Sequence, residues 1–418
     1  MSIKLVIGAG LAAAALGLAA FAQTEKVQLR FTTWAGGDGL KLLQTLAEEY
    51  GKQNPNVGVT IEASPFGGYD QKITVQIAGG TPPDAGWVAE RSAPGFVAQK
   101  LLADLRPSVA GDSRLVLSDY SSASLALWRR GDALYGLPFS FSPILMYYNK
   151  DLFAKAGIPT PTQLLAQNKW TYAAFVSSAS AIKQAAPDSY GGSLFRTDPA
   201  LWAGGIVAAV YSHGGEVFNK DLSACGLNSP GSIKAWQLAA DMMRDGTAPK
   251  LGEQVTFASG RLGMYADQVS YSGQLRQSSF KWDVAPMPAG PSGRQTLLGQ
   301  AGYAVFAASK YPKQATDFVK FLSGVNTMRR TAQFYPPPRG SLLNSSTFLN
   351  SNPLLSPDSL RSAVVRQVPN ARTLDVPANW PQVNDAVVRG LERVLRQGGD
   401  VASELGNICT SVNALLKK

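Results

Sequence analysis

The sequence predicts an α/β protein whose open, wound, mainly parallel β-sheets are flanked by helices. Three observations support this fold class. Strand-like and helix-like patterns alternate over about the first hundred residues. Clusters of glycine, proline and asparagine separate these patterns. The chain has 418 residues, of which 45% are hydrophobic and 16% are charged, so it holds enough apolar material for a sizeable core.

The N-terminus has the features of a cleavable signal peptide over residues 1–22. Lys4 supplies a positive charge, residues 5–21 are apolar, and residues 20–22 fit an A-x-A cleavage site. We therefore expect a secreted protein, periplasmic or extracellular, that begins at Gln23. No cysteine stands at the cleavage point, which argues against a lipid anchor. An uncleaved membrane anchor is the alternative, and the small residues that end the apolar run disfavour it.

The first elements follow one order of strand, loop and helix. Residues 27–34 alternate between apolar and polar side chains and predict a strand. A glycine-rich turn separates them from residues 40–50, which have helical spacing. The same order repeats over 57–78 and 85–99. Parallel wound sheets bind ligands at the loops beyond the carboxyl ends of their strands. Three loops have this position: 34–39, 64–70 and 88–92.

Residues 136–153 form the stretch with the most distinctive local pattern. An apolar, aromatic run of strand length at 144–148 is followed by Asn149, which is suited to cap a helix. Just before the run, Ser140 and Ser142 would point to the same side of a strand. Two hydroxyls on one side, beside aromatic residues, suit a polar small molecule. The local pattern alone favours the alternative, a buried strand with two serines near its start.

The composition and motifs argue against several function classes. The net charge is +10, but no block of five or more Lys and Arg residues occurs, so we do not expect nucleic-acid binding. No HExxH, GxSxG or P-loop motif occurs, and His213, the only histidine, is more typical of a structural residue. We therefore expect no enzyme activity, no cofactor and no metal ion. Cys225 and Cys409 could form one disulfide or remain two buried thiols, and both alternatives stay open.

Several segments resemble one known family over nearly the whole mature chain. The segment GLPFSFSPILMYYNKDLFAKAGIPTP at 136–161 resembles the signature of extracellular solute-binding proteins of the maltose-binding type, which bind sugars for ABC importers. YDQKITVQIAGGTPPDAGWV at 69–88 and GQAGYAVFAASKYPKQATDFVKFLSG at 299–324 are also similar to that family. The resemblance implies a monomer with the two-lobed periplasmic-binding-protein fold of type II and a hinge between the lobes. The implied partners are a sugar or sugar-like small molecule and the permease subunits of an ABC transporter. The implied division is residues 23–139 and 302–335 for the first lobe and residues 140–298 and 336–418 for the second.

The resemblance also implies a ligand site between the lobes. Aromatic rings pack on the C–H faces of a sugar, while carboxylates and guanidinium groups bridge its hydroxyls. The residues at matching positions are Trp34, Asp38, Tyr69, Glu90, Arg91, Ser140, Ser142, Trp202, Asp267, Tyr271, Gly299, Tyr303, Arg339 and Trp380. Some oligosaccharide binders carry a carboxylate where Ser142 falls. Glycerol-3-phosphate binders carry serines there, so a glycerol-3-phosphate-type binder of the same fold is one alternative. A secreted carbohydrate-active enzyme is the alternative from another class, because the carboxylates of a glycosidase can lie far apart in the sequence.

Overall fold

The structure is a computed structural model that describes residues 26–113 and 115–417. The predicted signal peptide lies outside these residues. In this part of the chain, no helix combines the length and the apolar character that a membrane span requires.

Strands make up one large sheet and two small hairpins. The large sheet has the strand order β2-β1-β3-β11-β6-β7, and β8 also pairs with β6. The two hairpins pair β4 with β5 and β9 with β10. The strands are β1 (Val27–Thr33), β2 (Val57–Ala63), β3 (Ala85–Ala89), β4 (Arg129–Arg130), β5 (Ala133–Leu134), β6 (Leu137–Asn149), β7 (Met264–Gln268), β8 (Trp282–Pro286), β9 (Ala289–Gly290), β10 (Gly293–Arg294) and β11 (Leu298–Val305).

The long strand β6 connects the two halves of the sheet. Its residues 137–143 pair with β11, and its residues 144–149 pair with β7 and β8, all in antiparallel orientation. Only the pairs of β1 with β2 and with β3 are parallel among these named strands. The expectation of a mainly parallel sheet in each lobe is therefore wrong for the second lobe. The alternation of strands and helices predicts parallel pairing for the first segments only. In the second lobe, β7 and β8 instead pair antiparallel with β6, the strand that enters from the first lobe.

Helices cover the sheet and carry the sequence signals that begin and end them. Asn149 caps α6 as predicted, because its Oδ1 accepts hydrogen bonds from the backbone N–H groups of Asp151 and Leu152 at 3.0 and 3.1 Å. The helices are α1 (Gly37–Gln53), α2 (Tyr69–Ala78), α3 (Ala93–Ala98), α4 (Arg106–Val109), α5 (Ser122–Ala126), α6 (Lys150–Ala156), α7 (Pro161–Ala166), α8 (Tyr172–Ala185), α9 (Gly205–Ser212), α10 (Pro230–Arg244), α11 (Pro312–Leu322), α12 (Val325–Thr331), α13 (Gly340–Leu343), α14 (Ser346–Leu349), α15 (Pro357–Leu360), α16 (Trp380–Leu395) and α17 (Val401–Leu416).

Buried apolar side chains form separate cores on the two sides of the crossing strands. The core of the first lobe draws its residues from 29–139 and 301–342. The second lobe has two adjoining clusters, whose members come from 144–297 and 343–412, together with Ala332. We use these ranges to define the two lobes.

Three segments pass between the lobes side by side. β6 and β11 pair at the crossing, where Ser142 lies opposite Gly299. The third segment joins them, because the backbone N–H of Phe141 donates to the carbonyl oxygen of Pro336 at 2.9 Å. Leu342 still packs in the first lobe and Leu343 packs in the second. The last crossing thus lies several residues after the boundary at 335/336 that the resemblance implies.

The two cysteines form a disulfide in the second lobe. Cys225 and Cys409 are 184 residues apart in sequence, and their Cα atoms lie 5.1 Å apart. The backbone N–H of Cys225 also donates to Oδ1 of Asn413 at 2.7 Å. Of the two alternatives that the sequence left open, the structure has the disulfide, which ties α17 to the segment before α10.

Candidate functional site

A cavity of about 750 Å³ lies between the two lobes and is lined by residues of both. Its first-lobe wall comes from three loops, at 34–39, Phe66 and 89–91, that follow β1, β2 and β3. Because β1 is parallel to both of the other strands, their carboxyl ends meet at one edge of the sheet. The loops at this edge face the cavity, as the sequence predicted.

The glycine-rich turn after β1 brings the start of α1 to the cavity. Gly37 has a φ of +53°, in the left-handed region that favours glycine. Asp38 follows in the first turn of α1, where a carboxylate interacts favourably with the positive end of the helix dipole. The turn therefore places a carboxylate, rather than an apolar side chain, at the mouth of the cavity.

Two tryptophans from opposite lobes line the cavity. Trp34 of the first lobe is held by Tyr69 and Trp87, whose rings meet it edge-on at centroid distances of 5.0 and 4.9 Å. Trp380 of the second lobe begins α16 and lies 6.3 Å from both Trp202 and Phe218. Both rings are thus supported from behind by other aromatic side chains, which restricts their rotation. Rigid aromatic surfaces of this kind suit the apolar faces of a ring-shaped ligand.

Three guanidinium groups line the cavity, and each is paired with a carboxylate. The pairs and their shortest N–O distances are Arg91–Asp70 at 2.9 Å, Arg196–Asp267 at 2.5 Å and Arg276–Asp38 at 3.3 Å. The last pair joins the two lobes, because Arg276 belongs to the second lobe and Asp38 to the first. The lobes therefore already touch across the mouth of the cavity.

Glu90 is the cavity carboxylate of the first lobe that has no arginine partner within ion-pair distance among the described residues. Its Oε2 accepts a hydrogen bond from the backbone N–H of Gln300 at 3.3 Å. Burial raises the pKa of this carboxyl, and the charge of Arg91 partly opposes that shift. Tyr271 contributes an uncharged polar group to the cavity from the second lobe. Burial raises its pKa to about 12, so its hydroxyl stays protonated at neutral pH.

The structure brings nine of the fourteen sequence-predicted residues together around the cavity. These nine are Trp34, Asp38, Glu90, Arg91, Ser140, Asp267, Tyr271, Gly299 and Trp380. They come from six separate stretches of the chain and from both lobes, so their convergence is a property of the tertiary fold. Their role as ligand contacts remains a proposal.

Four of the other five residues lie behind the cavity wall, and their assignment as direct contacts is corrected here. Tyr69 donates from its hydroxyl to the carbonyl oxygen of Trp87 at 2.9 Å and supports Trp34. Ser142 is buried, and its Oγ accepts from the backbone N–H of Val269 at 3.4 Å. The remaining two are buried aromatic residues. Trp202 donates from Nε1 to Asn384 at 2.9 Å, and Tyr303 stacks on Phe139 at 4.4 Å.

Arg339 is the fifth residue, and the structure places it in the core of the first lobe. Its side chain is fully buried, and Nη2 donates to the carbonyl oxygens of Leu115 and Ser323 at 3.2 Å each. The guanidinium also lies 4.5 Å from the ring centroid of Tyr120. Arg339 therefore anchors the third crossing segment instead of reaching the ligand cavity.

Sequence reasoning missed several residues of the second-lobe wall and both arginine pairs that it contributes to. The missed residues of the second-lobe wall include Arg196, Asp198, Tyr265 and Arg276, and two residues of the first-lobe wall, Phe66 and Tyr335, were missed as well. A local signal existed for Arg196, since a charged residue directly follows the apolar pair Leu194-Phe195 in a chain with few charges. Nothing in the local sequence of Arg276 indicates a partner in the other lobe.

Comparison with known proteins places this geometry in a family. The sequence model described as bacterial extracellular solute-binding protein matches residues 35–325. The chain is 26% identical over 420 residues to a binding protein of Brucella abortus, with 96% of each chain covered. It is 24% identical over 429 residues to the sn-glycerol-3-phosphate-binding periplasmic protein UgpB of Agrobacterium fabrum, covering 96% of this chain and 94% of that one.

A solved structure supports the same fold. An ABC substrate-binding protein from Listeria monocytogenes, in complex with cycloalternan, matches with a TM-score of 0.82 at 24% identity and covers 94% of this chain and 99% of that one. The predicted α/β, two-lobed, type II periplasmic-binding-protein fold is thereby confirmed.

Proposed function

The chain belongs to the bacterial extracellular solute-binding protein family, and from this premise we propose that it captures a carbohydrate between its lobes. It then delivers that carbohydrate to the permease subunits of an ABC importer. We further propose that the exported protein begins at Gln23, carries no lipid anchor, acts as a monomer and catalyses no reaction on its ligand.

The observation that carries the proposal is the pair of tryptophans, one from each lobe, that line one cavity. Trp34 and Trp380 belong to different lobes, and both border the same space of about 750 Å³. Sugar rings present two apolar faces and a rim of hydroxyls, so they suit aromatic walls with polar groups between them. Glu90, Tyr271 and Ser140 supply those polar groups here.

A glycerol-3-phosphate-type ligand is the second candidate. It is favoured by the identity of 24% with the glycerol-3-phosphate-binding protein of Agrobacterium fabrum. A small phosphate ester would use little of the aromatic surface, which is why we prefer a carbohydrate.

A ligand screen tests the proposal. Maltose, trehalose, cyclic and linear oligosaccharides and glycerol 3-phosphate are each added to the purified protein in a thermal-shift assay. We expect a neutral saccharide to raise the melting temperature, because a ligand at a hundred times its Kd stabilises the folded state by about 2.7 kcal/mol. Calorimetric titration then gives the affinity. A shift with glycerol 3-phosphate and with no saccharide would contradict the proposal and favour the second candidate.

We also propose that ligand binding closes the lobes about the three crossing segments. A ligand that contacts both walls favours the closed form only by the contacts that the open form lacks.

Besides the ion pair across the mouth, α3 of the first lobe meets the backbone of the second lobe. A Cβ at Gly95 would lie 2.8 Å from the carbonyl oxygen of Ala378, so glycine is what permits this approach.

The substitution Gly95→Ala is expected to weaken ligand binding by about tenfold, because overpacking of a contact costs about 1–3 kcal/mol in the closed form alone. In small-angle scattering, saturating ligand should reduce the radius of gyration of the wild type, and the variant should need more ligand for the same change. Gly406→Ala in α17 is the matched control, since a Cβ there meets no atom within 4 Å. A radius of gyration that is unchanged in a sample shown to bind would reject the closing motion.

A further inference from the structure

The charges around the cavity differ from those of the whole chain. The chain has a net charge of +10, yet the described residues that line the cavity include three arginines, four carboxylates and no lysine. With every carboxyl counted as ionised, the lining has a formal net charge of −1. The basic character of the protein does not extend into the space where the ligand is proposed to bind.

Each arginine that lines the cavity is already paired with a carboxylate. Arg196 donates from both Nε and Nη2 to Oδ1 of Asp267, and the Asp267 side chain is only 7% exposed. Arg276 lies 3.3 Å from Asp38 at the mouth. Arg91 is held by Asp70, which lies outside the cavity lining. An anionic ligand that approached any of these groups would also approach the carboxylate beside it.

Although they are paired with carboxylates, the arginines can still donate hydrogen bonds to an uncharged ligand. Nη1 of Arg196 makes no hydrogen bond with any residue in the described part of the chain, so it can donate to one ligand hydroxyl while Asp267 keeps its place. A phosphate is bound most strongly by several donors together with an uncompensated positive charge, which offset its lost hydration. Such a charge is missing here, because each guanidinium has a carboxylate within 3.3 Å.

We propose that Asp267 and Asp38 are specificity-determining residues that neutralise Arg196 and Arg276 and so exclude anionic ligands from the cavity. This inference rests on the proposed function in taking the cavity as the ligand site. It goes further in assigning the ligand to an uncharged class and in naming the residues that make the selection. Removal of one of these carboxylates should free a guanidinium and admit a phosphate.

The test is calorimetric titration of the wild type and of Asp267→Asn with glycerol 3-phosphate, inorganic phosphate and uncharged glycerol. We expect the wild type to bind neither anion measurably, and Asp267→Asn to bind glycerol 3-phosphate at least about tenfold more tightly, the scale of one charge-assisted hydrogen bond. The gain should decrease with added NaCl. Asparagine keeps an Oδ1 that can accept from the backbone N–H of Gln268, as Asp267 does at 2.7 Å, so this local contact is retained.

Two further variants make the result interpretable. Asp38→Asn frees Arg276 at the half-exposed mouth and should show the same gain. Asp241→Asn makes the same charge change in an exposed pair with Arg244 on α10, outside the cavity, and should show none. Binding of glycerol 3-phosphate by the wild type, an equal gain in Asp241→Asn, or no gain in either cavity variant would each overturn the inference. The two proposals can also fail separately. If the cavity variants gain affinity for glycerol 3-phosphate while no saccharide binds to the wild type, the charge selection is upheld and only the carbohydrate proposal is contradicted.

Discussion

Replacement of Trp380 by alanine is expected to weaken saccharide binding by about 1–3 kcal/mol and to lower the free energy of unfolding by about 3–5 kcal/mol. Two effects are expected because the indole belongs to the cavity wall and to the core of the second lobe at once. Its relative exposure is 7%, and it packs on Trp202 and Phe218. Affinity is measured by calorimetric titration with the saccharide found in the screen, and stability by urea unfolding without ligand.

A second tryptophan separates the two effects. Trp236 lies in the same core, fully buried and outside the cavity lining, 5.9 Å from Trp202. Trp236→Ala should therefore lose a similar amount of stability and keep the wild-type affinity, provided that it is assayed below its unfolding transition. If Trp380→Ala keeps the same Kd as the wild type, then Trp380 is a core residue and does not stack on the ligand.

Removal of the disulfide, by Cys225→Ser together with Cys409→Ser, is expected to lower the free energy of unfolding by about 2–5 kcal/mol. The bond closes a loop of 184 residues, so it strongly restricts the unfolded chain in the loop-entropy account. It also fixes α17 against the rest of the second lobe, where Cys409 is buried in the core. Urea unfolding of the double variant and of the wild type measures the effect.

The wild type in a reducing agent is the control, and it should unfold at the same urea concentration as the double variant. Ligand affinity should not change, because neither cysteine lines the cavity. Equal unfolding midpoints for the oxidised wild type and the double variant would show that the bond adds nothing to stability.

Features that depend on neighbouring residues could be predicted from the sequence. The start of β3 at Ala85 and the cap of α6 by Asn149 agree with the prediction, since strand periodicity and capping act within a few residues. The position of the cavity loops also follows, because β1, β2 and β3 are joined in a βαβαβ order. Family resemblance then supplied the two lobes, which no local pattern indicates.

Other features were decided only by the tertiary structure, because they depend on contacts between distant parts of the chain. Ser140 and Ser142 have the same local pattern, yet only Ser140 lines the cavity, while Ser142 is buried and accepts a hydrogen bond from the backbone N–H of Val269, 127 residues further on. The sequence also could not decide whether the two cysteines are bonded, because their pairing depends on a contact between distant parts of the chain. Arg276 meets Asp38 only because two lobes approach each other there. The sequence by itself thus determined the local elements and the strand-end loops, while burial, charge pairing and access to the ligand followed from packing across the lobes, which no short window of sequence contains.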